Sequence, residues 1–269
     1  MAKIRIGVSG WSYDPWRRGA FYPEDLPQRK ELAWISRRMS SAEINGSFYG
    51  LLRPQTYEGY REQAPRGFVF AVKGGRFITH SKKLRDVGVP LANFLASGVL
   101  RLEDALGPIL WQLPAMDWGV DRIDRFLEQL PKDTEEASRI ARRHDDHVKG
   151  RASMAVDRNR RMRHVLEIRH PALFCEEVAR SCRRHGVALA FSHAADWPLT
   201  EELTAGFVYI RLHGRPRTYA SGYSDRDLDR WAERIRIWSR GDEPGDSQRI
   251  TDRCPPRRKT RDVYVYFDN

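Results

Sequence analysis

The chain has 269 residues, of which 41% are hydrophobic and 11% aromatic, a composition typical of a globular protein with a substantial core. Lys and Arg outnumber Asp and Glu by 47 to 36, and the resulting net charge of +11 favours anionic partners such as phosphates or nucleic acid. The sequence has no run of about 18 apolar residues and no signal-peptide pattern, which argues against a membrane span and against secretion. The 3 cysteines form no even disulfide framework, so we expect reduced thiols and a cytoplasmic protein.

Eight short apolar runs predict β-strands. In chain order they lie at 3–9, 41–45, 67–73, 107–113, 164–169, 186–192, 207–213 and 261–268. Helical patterns separate them, at 29–39, 54–64, 90–96 with 102–107, 120–130 with an extension over 133–147, 171–185, 199–204 and 224–239. Strands that alternate with helices indicate a parallel sheet, and eight such units at this length predict one α/β domain over 1–269, a (β/α)8 TIM-type barrel. The rival architecture, an open doubly wound sheet, would carry a glycine-rich phosphate loop after its first strand, and this chain has none there.

No helical pattern follows the eighth predicted strand in this sequence. Barrel strands are normally buried on both faces, so we expect the absence of a last covering helix to expose an apolar patch on that strand. We expect either that the sequence is truncated after the eighth strand, or that another chain or the long 133–148 helix covers that face.

The positive charge is concentrated in two segments. Residues 139–163 contain nine basic and three acidic side chains, and RCPPRRKTR at 253–261 is the second basic cluster. An anionic partner and a merely arginine-rich surface both fit these segments, because charge governs association rather than fold.

Polar residues recur at the carboxyl ends of the predicted strands. Alternate residues of a strand point the same way, and three polar pairs share a face for this reason: Glu43 with Asn45, Glu167 with Arg169, and Arg211 with His213. Further polar residues end the third, fourth and eighth strands: Lys73, Gln112, and Asp268 with Asn269. The carboxyl ends of barrel strands meet at one mouth, so the sequence predicts a polar pocket there. A network of ions that only neutralise one another is the alternative.

We expect this pocket to bind an anion and to transfer protons. Its cations suit phosphate, and the predicted catalytic groups are Glu43, Glu167 and His213. Carboxylates and imidazoles also suit a divalent metal cofactor, but no tight motif such as His-Glu-x-x-His occurs, so the metal requirement stays open. Aromatic residues after three strands predict either core packing or a stacking platform for a sugar or base: Trp11, Tyr13, Trp16, Phe48, Tyr49, Tyr219 and Tyr223.

Seven segments resemble, in order, the signatures of the YecE-like family, a domain of unknown function (number 72): IGVSGWSYDPWRRGAFYPEDLP, AEINGSFYGL, FAVKGGRFITH, ILWQLP, LEIRHPALF, VYIRLHG and VYVYFDN. The resemblance implies a cytosolic (β/α)8 barrel with its polar motifs at one mouth, and it implies no established activity. Carried over position by position, the recurrent polar residues are the three predicted catalytic groups and a set of binding residues. That binding set is Asn45, Tyr49, Lys73, Arg76, His80, Gln112, Arg169, His170, Arg211 and Asn269.

Three functions remain as hypotheses at this point. The favoured one is an enzyme that acts on a phosphate ester or nucleic acid, such as a phosphodiester or phosphoester hydrolase. The second is a module that binds an anion or nucleic acid without catalysis. The third is a metal-dependent enzyme similar to sugar isomerases. The sequence leaves the substrate and the oligomeric state open.

Overall fold

Each of the eight apolar runs forms a parallel β-strand. The computed structural model describes residues 2–214, 217–218, 222–255 and 257–268. The strands are β1 Ile4–Ser9, β2 Ser41–Ile44, β3 Val69–Lys73, β4 Leu106–Gln112, β5 His164–Glu167, β6 Ala188–His193, β7 Phe207–Leu212 and β8 Asp262–Phe267. They are hydrogen-bonded in chain order, and β8 pairs with β1, so the sheet closes into a barrel. The predicted α/β (β/α)8 fold is confirmed.

The helices lie between the strands. They are α1 Glu31–Ile35, α2 Gly46–Tyr49, α3 Pro54–Gln63, α4 Gly88–Ala96, α5 Val120–Glu128, α6 Thr134–Ala141, α7 Glu176–His185 and α8 Asp225–Ser239. None of the helices in the described ranges is long and apolar enough to cross a membrane. The predicted extension over 133–147 is too long, because α6 ends at Ala141 and only a 3-10 turn, Asp146–Val148, follows it.

The helix predicted at 199–204 is wrong. This segment forms neither helix nor strand, and its two carboxylates are buried and bonded to distant groups. Glu201 accepts a hydrogen bond from Arg234 Nε at 2.9 Å, and Glu202 accepts bonds from the backbone N–H groups of Ile250 and Thr251 at 2.8 and 2.9 Å. Tertiary contacts therefore override the local helical pattern.

The outer face of β8 is covered, contrary to the expectation of an exposed patch there. Val263 and Val265 are buried in one cluster with Trp238 of α8. On the neighbouring strand β1, in contrast, Ile4 and Ile6 are 39% and 42% exposed. Helix α8 thus covers the β7–β8 side, and the exposure falls on β1.

A buried apolar cluster, separate from the one that contains Val263, Val265 and Trp238, fills the barrel interior. Small aliphatic side chains face three tyrosines, Tyr209, Tyr264 and Tyr266. The strands approach closely around them: a Cβ on Gly7 would lie 1.9 Å from the Ser41 carbonyl oxygen, so only glycine fits there. Tyr266 finds a partner for its hydroxyl in Ser41 Oγ, at 2.7 Å. The polar mouth lies directly above this closed apolar layer.

Candidate functional site

The register of the parallel strands brings the predicted polar residues to one level of the barrel. Ser9 pairs with Glu43 across β1 and β2, and Gln112 pairs with Glu167 across β4 and β5. Arg211 occupies the corresponding place on β7, opposite Tyr266 of β8. The side chains of Glu43, Glu167 and Arg211 therefore converge at the carboxyl ends of the strands.

Arg211 is the centre of this arrangement. It is 1% exposed, and both glutamates beside it are 0% exposed. Its guanidinium donates to four side chains: Nη2 to Ser9 Oγ at 2.9 Å, Nη2 and Nε to the two Glu43 oxygens at 2.8 and 3.2 Å, Nη1 to Glu167 Oε2 at 2.9 Å, and Nη2 to Asp268 Oδ2 at 2.7 Å. Burial alone would lower the pKa of Arg211, but the three carboxylates raise it well above its ordinary value. Arg211 is a permanently charged link from β7 to β1, β2 and β5, and to Asp268 just after β8.

Glu43 is held by hydroxyl groups as well. Ser9 Oγ donates to its Oε1 at 2.7 Å, and the Tyr209 hydroxyl donates to its Oε2 at 2.6 Å. Burial and the Glu43 charge raise the pKa of Tyr209 well above its usual value, so the phenol stays a donor. With the Arg211 bonds, both oxygens of Glu43 are fully engaged.

Glu167 forms a second ion pair on its other oxygen. Arg169 Nε and Nη2 lie 2.8 and 2.7 Å from Glu167 Oε1, and the Arg169 guanidinium stacks 3.7 Å from the centre of the Trp197 ring. Burial would raise the pKa of Glu167, but Arg211 and Arg169 outweigh it and lower that pKa to about 2. Glu167 is therefore held as a carboxylate at neutral pH.

An imidazole–carboxylate pair lies beside this network. His213 Nδ1 is 3.1 Å from Asp268 Oδ2, and the His213 ring meets Trp197 edge to face. Burial lowers the pKa of His213 in spite of this contact, so the ring is neutral at neutral pH. Burial alone would raise the pKa of Asp268, but Arg211 and His213 hold it well below its ordinary value. A carboxylate this close to Nδ1 favours the tautomer that carries the imidazole proton on that nitrogen.

Lys73, at the end of β3, is a cation of a different kind. Its ammonium lies 4.3 Å from the centre of the Phe48 ring, and no ion pair involves it within the described part of the chain. Burial, followed by the nearby Arg211 charge, lowers the pKa of Lys73. Phe48 also meets the His80 ring edge to face at 5.1 Å.

Comparison with known proteins gives the chain a family. The profile of the family described as "Protein of unknown function DUF72" matches residues 5–269. The chain belongs to the DUF72 family. A solved DUF72 family protein of Thermotoga maritima is 19% identical, with a TM-score of 0.69 over 99% of this chain and 92% of that one. A DUF72 family protein of Enterococcus faecalis is 12% identical, with a TM-score of 0.64 over 100% and 91%. No curated protein matches.

In this DUF72 chain, two of the predicted site residues form hydrogen bonds with nearby backbone groups. The Gln112 side chain donates to the Leu113 carbonyl at 3.2 Å, and His170 Nδ1 accepts from the Ala172 N–H at 3.3 Å, which caps a 3-10 turn. Tyr49 is 73% exposed at the rim. Asn269, and also the rim residue Tyr219, lie outside the described residues.

His80 lies where three cations gather. Burial lowers its pKa, and the charges of Lys73, Arg76 and Arg169 lower it further. Its Nδ1 is 2.8 Å from Thr79 Oγ1. The three cations therefore act on one side of the mouth, next to Phe48.

The neighbouring part of the mouth, after β1 and β2, is aromatic and contains a buried hydrogen-bond acceptor. A cavity of about 330 Å³ there is lined by Trp11, Tyr13, Tyr49 and Tyr60 together with Asn45. Asn45 Nδ2 donates to Ser9 Oγ at 3.1 Å, whereas its Oδ1 is buried and has no hydrogen-bond partner among the residues described. Burial, with the charges of Asp268 and Glu43, raises the pKa of Tyr13 to about 12.

Sequence reasoning did not place Ser9, Tyr209 and Trp197 in the site. Tyr209 precedes Arg211 by two residues on β7, so alternation offers a signal that it shares the inner face. Ser9 ends β1 in the same way that Glu43 lies near the end of β2. Trp197 follows β6 in a loop, where no periodicity indicates its contact with Arg169 and His213.

A metal centre has little support from the carboxylates. Within the ranges 2–214, 217–218, 222–255 and 257–268, no group of three or more His, Cys, Asp or Glu side chains is arranged to hold a metal ion. Glu43 and Glu167 both direct oxygens to Arg211, which occupies the position between them.

Proposed function

We propose that the mouth of the barrel binds a phosphate-bearing ligand, such as a phosphate ester or a nucleic-acid strand. The observation that carries the proposal is Lys73, a largely desolvated ammonium with no ion-pair partner within the described chain. A cation in this state gains more from a bound anion than an exposed one does, because water does not screen the interaction.

Arg76 and Arg169 support Lys73. All three charges depress the pKa of His80, which places a positive potential on that side of the mouth. Arg211, which the sequence predicted as a binding residue, is bonded to Ser9 and three carboxylates, so we expect it to hold the site together rather than to grip the ligand. A protein phosphate site commonly combines several such donors.

The aromatic cavity beside Asn45 suits the remainder of the ligand. Rings of Trp11, Tyr13 and Tyr60 offer faces and edges on which a sugar or base packs. The open Asn45 Oδ1 accepts a hydroxyl or amino proton, since a buried acceptor without a partner is costly. The ligand class is therefore a phosphate attached to a ring.

His80 provides a local test, because its pKa reports the charge around it. Inorganic phosphate is titrated against the protein while the His80 ring is followed by NMR over pH. Bound phosphate should raise the pKa of His80. Lys73→Gln should raise the phosphate concentration that gives half of this change by about tenfold or more. Lys149→Gln is the matched control, because Lys149 is 77% exposed. A His80 pKa that does not respond to phosphate, or an equal response in both variants, would contradict the proposal.

Phosphoester hydrolysis is the second candidate, favoured by the His213–Asp268 pair. Asp268 orients a neutral imidazole, and the ring nitrogen opposite Nδ1 is the general base. In this reaction water attacks phosphorus and the imidazole takes the water proton. The P–O bond to the ester oxygen breaks, and that oxygen leaves with the bonding electron pair and takes up a proton from the imidazolium or from solvent.

Turnover of p-nitrophenyl phosphate and bis-p-nitrophenyl phosphate, with and without divalent metals, tests hydrolysis. His213→Gln should abolish turnover and leave the His80 response to phosphate intact. Binding without turnover under every condition would instead support the non-catalytic module.

A further inference from the structure

The two basic clusters of the sequence meet at the face of the barrel opposite the mouth. A cavity of about 590 Å³ opens at the amino-terminal ends of β5–β8. Arg161 of the 139–163 cluster and Arg258 of the 253–261 cluster both line it, together with Lys132 and Arg183. Residues about one hundred apart in the chain thus contribute positive charge to one depression.

Two glycines, Gly186 and Gly206, line this cavity beside its arginines. A Cβ on Gly206 would lie 3.5 Å from the Arg258 guanidinium carbon, and one on Gly186 would lie 3.9 Å from Arg161 Nη2. Both guanidinium groups therefore lie next to backbone positions that carry no side chain.

Backbone contacts hold the segments that carry Arg161 and Arg258 in place. Arg161 forms an isolated antiparallel bridge with Asp133, and the Met162 N–H donates to the Lys132 carbonyl at 2.9 Å. The Arg258 backbone crosses the turn at Gly241, where φ is +90° and a Cβ would come within 1.9 Å of the Arg258 carbonyl oxygen. The basic groups are thus mounted on fixed backbone.

The positive charge of this cavity is only partly neutralised. Arg184 and His185 share Asp124, and Arg183 pairs with Glu202. Lys132, Arg161 and Arg258 form no ion pair within the described residues. Arg183 Nε and Nη1 are buried and make no hydrogen bond to any described residue. These three cations and the Arg183 N–H groups are therefore available to an anionic ligand.

We propose that this cavity binds a small molecule that carries a diphosphate or triphosphate group. Three unpaired cations in one depression match two or more phosphate groups, and the volume lies in the range of ordinary small-molecule sites. Apolar residues such as Leu130, Met162 and Val187 also line the cavity and suit the organic part of the ligand. The site is separate from the mouth and independent of the function proposed there.

Calorimetric titration with inorganic pyrophosphate tests the proposal. It is done in the Lys73→Gln protein, in which binding at the mouth is weakened, so that the titration reports mainly on this cavity. Arg161→Gln combined with Arg258→Gln should weaken pyrophosphate binding by about tenfold or more. The control pair, Arg29→Gln with Arg226→Gln, removes the same charge from two other exposed arginines and should change it by less than about twofold.

Hydrogen exchange in the protein with native cavity residues gives a readout that does not depend on these variants. Pyrophosphate should slow exchange in residues 158–164 and 257–261. An absence of pyrophosphate binding, an equal effect of the two variant pairs, or unchanged exchange in both segments would overturn the proposal. So would binding of a single-stranded oligonucleotide that pyrophosphate does not displace, because an open nucleic-acid surface would then explain the charge.

Discussion

Replacement of Arg211 by methionine should destabilise the protein strongly. The change removes the cation that lies between Glu43, Glu167 and Asp268 and keeps a side chain of similar length. Three carboxylates are then left facing two cations, Lys73 and Arg169, while both glutamates stay fully buried. Removing one partner of a buried ion pair typically costs about 3–5 kcal/mol, because the remaining charge stays desolvated.

The magnitude is large compared with the total stability of a domain, which is about 5–15 kcal/mol. Urea unfolding at neutral pH measures it directly, as the difference in the free energy of unfolding. Arg230→Met is the control: Arg230 pairs with Asp246 at the surface, with 68% and 63% of the two side chains exposed, so its loss should cost less than about 1 kcal/mol.

A double variant sharpens the test. Addition of Glu43→Gln to Arg211→Met removes one of the uncompensated charges and should recover at least about 1 kcal/mol. A loss of less than about 1 kcal/mol for Arg211→Met alone, or no recovery in the double variant, would refute the assignment of Arg211 as the link of the network.

Three further outcomes follow from buried groups. The pKa of Glu167 falls from 4.5 to about 2 on folding, so its stabilisation, about 3 kcal/mol, is present above pH 4.5 and is lost as the pH falls towards 2; Glu167→Gln should flatten urea stability over that window. Burial lowers the pKa of His164 from 6.5 to about 4, so the unfolded chain binds the proton first and stability falls between pH 6.5 and 4; His164→Gln should remove that part of the pH dependence, and an unchanged profile would contradict it. Gly74→Ala should cost about 1–3 kcal/mol in thermal or urea unfolding, because its Cβ would lie 2.3 Å from the Trp111 ring, whereas Gly75→Ala, with its nearest contact at 3.8 Å, should be tolerated; equal effects would refute the packing.

Much of the barrel could be predicted because strand patterning is local. The eight apolar runs coincide with β1–β8 to within a few residues, and α3, α7 and α8 follow their periodic patterns. The helix expected at 199–204 failed for a long-range reason. Glu201 and Glu202 are saturated by Arg234 and by backbone N–H groups about fifty residues away, which no local pattern reveals.

The sequence predicted which residues lie in the site better than it predicted which residues contact one another. Alternation at the strand ends brought Glu43, Glu167 and Arg211 together, since parallel strands present their carboxyl ends at one mouth. The sequence did not reveal which cations pair with carboxylates and which do not, because this depends on how far each side chain reaches across the barrel. Arg211 forms ion pairs with the carboxylates, whereas the Lys73 ammonium lies beside the Phe48 ring.

The most direct test of the account is a crystal structure of the protein grown or soaked with inorganic phosphate. The account predicts a phosphate ion in the mouth, with an oxygen within about 2.7–2.9 Å of Lys73 Nζ and with the Arg211–Glu43–Glu167 contacts unchanged. A mouth with no bound phosphate at a concentration that saturates the His80 response, or a phosphate that displaces the carboxylates from Arg211, would contradict it.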